Sequence, residues 1–220
     1  VDKTGFIEVI DHLDTKYPIL LRPRRFGKTT FVKMLLCFYD ISYKDKYDEI
    51  FKGTKIHEMN LPSHNTYHVI KFDFSGVSGD NAKDLIFNFN QKLSVGINKF
   101  LKRYPDFKFN NDYTGRDPAN FIDEFFKAFD TQYKEKSLYI LIDEYDNFAN
   151  GVLSNDRDLF KTITKSNGFL KDFYKTIKTF TNTVVAKTFI TGVSSVSLDS
   201  LTSGFNIAEN VTCDPNLNEF

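Results

Sequence analysis

Tryptophan is absent from this chain, and cysteine, methionine and proline are scarce: two, two and six among 220 residues. The two cysteines, Cys37 and Cys213, lie too far apart for any metal-ligand or redox spacing. That excludes a cysteine-held metal centre and fits a reducing, intracellular and hence cytoplasmic setting, with Cys37 buried on a helix. Net charge is also missing, because 29 basic residues balance 29 acidic ones. No global field draws the chain to nucleic acid or acidic membranes, and its basic residues are dispersed. No apolar run approaches the ~18 residues that span a bilayer, and no secretory signal is visible. The first residue is Val1 instead of Met, so a fragment of a longer protein is expected. Asn210-Val211-Thr212 matches a glycosylation sequon, which an intracellular chain leaves unused.

Phenylalanine is plentiful, at 24 residues, and supplies an ample core for one α/β domain over residues 1–220. Four nearly continuous apolar runs predict parallel strands buried on both faces: Tyr17–Leu21, His68–Phe74, Leu138–Ile142 and Val184–Thr191. Helical periodicity fills the intervals at Asn81–Tyr104, Pro118–Tyr133 and Asp156–Thr181, the last broken near Ser166-Asn167-Gly168. Pro105–Arg116 reads as an exposed loop. Strands alternating with helices predict an α/β sandwich around a mostly parallel sheet.

The most informative stretch is Arg22-Pro23-Arg24-Arg25-Phe26-Gly27-Lys28-Thr29-Thr30, set between a strand and a helix. Strand, tight loop, Gly-Lys-Thr and helix form the context of a phosphate-binding loop. Backbone N–H groups from Arg24 to Thr30 would surround an anion at the helix start, where the helix dipole favours negative charge. Lys28 would reach the β- and γ-phosphates and Thr29 would ligate magnesium. Arg22 occupies the place of the pattern's first glycine and forbids the usual positive backbone angle. The loop is therefore expected to enter by another turn, stiffened by Pro23, with Gly27 keeping the close approach. Arg22, Arg24 and Arg25 either add charge beside the phosphates or face solvent and nearby acids.

The strand Leu138–Ile142 runs into Asp143-Glu144. Taken alone, Asp143 would cap the next helix and Glu144 would be solvated. Beside a Gly-Lys-Thr loop, Asp143 is expected to hold magnesium and Glu144 to polarise an attacking water. Both then fall at the carboxyl ends of strands, where open α/β sheets bind ligands. Thr191, ending the fourth strand, either senses the γ-phosphate or closes a turn on its own backbone. Asp146 either supports the site from behind as a further acid or caps the surface, and the structural role is the one expected.

These blocks, with Val1-Asp2-Lys3-Thr4, Phe51-Lys52-Gly53, Ile190-Thr191-Gly192-Val193-Ser194 and Ser203-Gly204-Phe205-Asn206-Ile207, resemble the AAA-ATPase-like family over essentially the whole chain. The resemblance implies a P-loop NTPase core, a three-layer sandwich with a strand inserted between the loop strand and the acidic strand. It implies ATP and Mg2+ as ligands, and Arg22 as a family trait. Full-length members usually continue into a helical lid and often a nuclease-like domain, both expected beyond this segment. Related ATPases take an arginine from downstream or from a neighbouring subunit, so a homo-oligomer is one expected arrangement. The residues leave three functions open: an ATP-driven switch, a nucleotide sensor with little turnover, and a small-molecule kinase. A nuclease is disfavoured, because no strand carries the Asp…Glu-x-Lys spacing.

Overall fold

Five parallel strands lie side by side in the order β2-β3-β4-β1-β5. The computed structural model describes residues 2–164, 168–195, 203–218 and 220. In chain order its regular elements are α1 (Phe6–Asp11), β1 (Pro18–Leu21), α2 (Lys28–Tyr39), α3 (Tyr47–Phe51), α4 (Lys55–Met59), β2 (His68–Asp73), α5 (Ala82–Arg103) and α6 (Pro118–Tyr133). There follow β3 (Leu138–Asp143), α7 (Asn147–Asn155), α8 (Arg157–Thr164), α9 (Phe169–Phe180), β4 (Val185–Gly192) and β5 (Glu209–Asn210). The four expected strands are present within a residue or so at each end. Sheet order puts β4 between β1 and β3, as the family resemblance implied, and the described sheet is wholly parallel.

Alternation of side chains along each strand builds two cores. Leu20, Val69, Tyr139, Leu141 and Phe189 face the helices α1 to α4, and Phe31, Val32, Leu35 and Phe38 of α2 pack on them. Ile19, Ile70, Phe72, Ile140, Ile142 and Ile190 face the other layer, built by α5, α6 and α9. Phenylalanine fills that second layer. Phe74 stacks on Phe89 at 4.3 Å, and Phe173 meets Phe89 edge-on at 5.2 Å. Aromatic pairs add a modest gain beyond the area they bury.

The helical stretch from Asp156 divides into α8 and α9; the expected break at Ser166-Asn167 lies outside the described residues, and Gly168 precedes α9. Pro105–Arg116 is the expected loop, exposed at most positions but anchored to the core at a few. Phe107 is buried, and Phe107 and Phe109 pack on Phe125 at 5.5 and 5.4 Å. Polar spacing hid three aromatic anchors, the third being Tyr113. Cys37 is only partly buried, and burial raises its thiol pKa. The short helices α1, α3 and α4 and the two-residue β5 escaped periodicity, which needs longer windows. No helix among the described residues is long and apolar enough to cross a membrane.

Candidate functional site

The Gly-Lys-Thr loop leaves β1 by a route that its arginine dictates. The Arg22 N–H donates to the Gly192 carbonyl at 3.1 Å, which extends the β1–β4 ladder by one residue. Its guanidinium turns to the chain's far end: Nη1 donates to the Thr212 carbonyl at 2.8 Å and Nη2 to the Leu217 carbonyl at 2.6 Å. Thr212 returns a bond, its Oγ1 accepting from the Leu21 N–H at 2.9 Å. The sequon threonine is thus spent on holding the loop strand. The left-handed backbone angles missing at Arg22 occur later, at Arg25 (φ 70°) and Gly27 (φ 82°). The loop turns at its end instead of its start. Of the arginines, Arg22 is half-buried with its guanidinium on main-chain carbonyls, whereas Arg24, Arg25 and Phe26 are exposed.

Helix α2 opens at Lys28 with no side chain capping it. Its first-turn N–H groups have no partner within the helix, and Thr29 and Thr30 stand exposed beside them. Lys28 is buried, and its Nζ donates to the carbonyls of Arg22 and Pro23 at 2.8 and 2.9 Å. Burial holds the Lys28 pKa below the ordinary lysine value, against the opposing pull of Glu144, Asp143 and Asp146. Lys3 joins from the N-terminal segment. Its Nζ donates to the Phe26 carbonyl at 3.0 Å and to the Phe220 carbonyl, and lies 4.6 Å from the centre of the Phe220 ring.

Across β4 stands the acidic end of β3. Asp143 is fully buried; Lys71 Nζ donates to its Oδ2 at 3.3 Å, and its Oδ1 has no hydrogen-bond partner among the described residues. A buried carboxylate oxygen without a donor is costly unless something else satisfies it. That makes Asp143 suited to a cation. No group of three or more His, Cys, Asp or Glu able to enclose a metal occurs among the described residues. Magnesium asks for less, since it keeps several waters and uses one or two carboxylates plus phosphates. Glu144 sits in the left-handed region at φ 55°, and its Oε2 accepts from Asn147 Nδ2 at 2.6 Å. A non-glycine residue held there carries backbone strain, which tends to cluster at functional sites.

Thr191 is buried, and its Oγ1 donates to the Leu20 carbonyl at 2.9 Å. The hydroxyl ties β4 to β1 and does not close a turn. Asp146 is structural but not a helix cap: no side-chain bond caps α7. Its carboxylate instead takes the N–H of Val193 at 3.1 Å, the N–H of Ser194 at 2.7 Å, Ser194 Oγ at 3.0 Å and Asn150 Nδ2 at 2.9 Å. Tyr145 completes the clamp, its hydroxyl donating to the Ser194 carbonyl at 2.7 Å. A Cβ on Gly192 would stand 2.4 Å from the Tyr145 ring and 2.6 Å from Asp146 Oδ1, so only glycine fits beneath them.

Loop, acids and Thr191 therefore gather at the carboxyl edge of adjacent strands. Sequence reasoning missed Lys71, Asn147 and the reach of Arg22. Lys71 did leave a signal, as the one charge inside the otherwise apolar run His68–Phe72. No curated protein and no solved structure matches the chain. Residues 1–202 match the family model described as Predicted AAA-ATPase, which points to nucleotide binding. With most of its length covered by that match, the chain belongs to the AAA-ATPase-like family.

Proposed function

We propose that the chain binds magnesium-ATP at residues 24–30 and uses water to cleave the γ-phosphate, so that nucleotide state changes contacts with a partner. One observation carries the reading. The uncapped start of α2 and the unsatisfied oxygen of Asp143 lie at the same edge of the sheet, separated by one strand. Main-chain N–H groups of Gly27, Lys28, Thr29 and Thr30 hold the phosphates, and the exposed flank of Arg24, Arg25 and Phe26 borders them. Lys28 leaves the loop carbonyls to take a phosphate oxygen, while Thr29 and Asp143 hold the metal. Bound magnesium would neutralise charge growing on the β- and γ-phosphates. Glu144, fixed by Asn147, orients and deprotonates the water. Thr191 is a positioning residue, setting β4 against β1.

Glu144→Gln tests the chemistry. Phosphate release should fall by about a hundredfold, with magnesium-ATP still bound. Equal release by the variant and the parent would sink the hydrolytic role of Glu144. ATP binding by the parent with no phosphate release would establish the sensor instead. A second reading, phosphoryl transfer to a small acceptor, draws on a cavity of about 250 Å³ lined by Val77, Ser78, Asp80, Asn155 and Leu159. It predicts release only when the acceptor is supplied.

Lys28 also gives the binding a pH signature. Its free-state pKa lies below 10.5, and a bound phosphate favours the charged form. Binding therefore takes up a proton as pH rises towards that range, and affinity declines there. Calorimetry at about pH 9.5 in two buffers of different ionisation enthalpy reads the uptake directly. Identical heats in both buffers would contradict it.

A further inference from the structure

The two oxygens of Asp143 have unlike surroundings. Oδ2 receives Lys71, and Oδ1 receives no donor among the described residues. Lys71 stands on β2 opposite Leu141, and Asp73, two residues on, stands opposite Asp143. The lysine thus reaches diagonally across the α2 face to its carboxylate. Its side chain is 16% exposed and that of Asp143 is 1% exposed. The other charges close by are committed elsewhere. Lys28 gives its protons to two loop carbonyls, and Asp73 Oδ1 accepts from the Ser75 N–H at 3.0 Å. Among the described residues, Lys71 is the cation paired with Asp143.

We infer that Lys71 is a built-in counter-ion that keeps a divalent metal off Asp143 until a nucleotide's phosphates arrive, an inference that rests on the magnesium-nucleotide reading of this site. A metal approaching Oδ1 meets an ammonium on the other side of the same carboxylate. In a partly buried site that repulsion is large enough to set affinity. A triphosphate reverses the sign of the local field, and metal and nucleotide then enter as a pair. Without Lys71, Asp143 would be a buried carboxylate with no neutralising group, a costly state that free metal relieves. Lys71 is a positioning residue and touches no reacting atom.

The test is nucleotide-free Mn2+ binding, read by the loss of the free-ion electron paramagnetic signal. Lys71→Met should bind Mn2+ at least about tenfold more tightly than the parent. Lys71→Arg, which keeps the charge, should match the parent, and Asp143→Asn added to Lys71→Met should erase the gain. Lys71→Gln makes the same comparison should the methionine variant fail to fold. Mn2+ binding by the charge-removed variant no tighter than the parent's, with magnesium-ATP bound by both, would overturn the counter-ion role. Failure of the parent to bind magnesium-ATP would instead overturn the site reading.

Discussion

Asp146→Ala should lower the unfolding free energy by about 4 kcal/mol, the largest stability loss expected of any change near the site. Its carboxylate is fully buried and accepts from two backbone N–H groups, a hydroxyl and an amide. Alanine leaves the Val193 and Ser194 N–H groups without an acceptor, and each such loss costs about 1–3 kcal/mol. The expected fall in melting temperature is roughly 8–16 °C for a chain of this size. Asp146→Asn retains one acceptor oxygen and should lose about half as much. Thermal melts followed by circular dichroism decide the matter; a change below about 2 °C for the alanine variant would show that Asp146 does not hold the end of β4.

Lys28→Met should weaken ATP binding by at least about a hundredfold while leaving the fold intact. The ammonium is the buried cation at the mouth of the loop, and methionine has nearly its length. Stability should scarcely change. The variant loses two hydrogen bonds to the Arg22 and Pro23 carbonyls but also sheds the cost of a buried charge. A fluorescent ATP analogue titrated against parent and variant checks the affinity, and their melts check the fold. Near-equal affinities would place the phosphates away from Lys28.

These two residues also mark how far the sequence could be read. The place of Lys28 at the start of α2 was legible because strand, loop and helix are local. The strands were legible for a similar reason, since burial on both faces leaves continuous apolar runs. Asp146 was read correctly as structural and wrongly as a cap. Its partners, Val193 and Ser194, lie 47 and 48 residues away, beyond any local rule. Arg22 shows the same limit, because nothing near it in the chain announces Thr212 and Leu217 as partners. Lys71 was visible as a misplaced charge, yet its pairing with Asp143 needed the register of β2 on β3. Local chemistry was written in the chain, and the long-range contacts that hold it in place were not.

The grip of Arg22 on Thr212 bears on how the protein is made. A ribosome delivers β1 long before either of its neighbours. The Leu20 carbonyl waits 171 residues for Thr191, and Arg22 waits 190 and 195 residues for Thr212 and Leu217. Closing such long loops is entropically costly and slow. The first strand synthesised is therefore among the last to be fixed, and the Gly-Lys-Thr loop that leaves it gains its anchors only once β4 and the segment around Thr212 and Leu217 have been made.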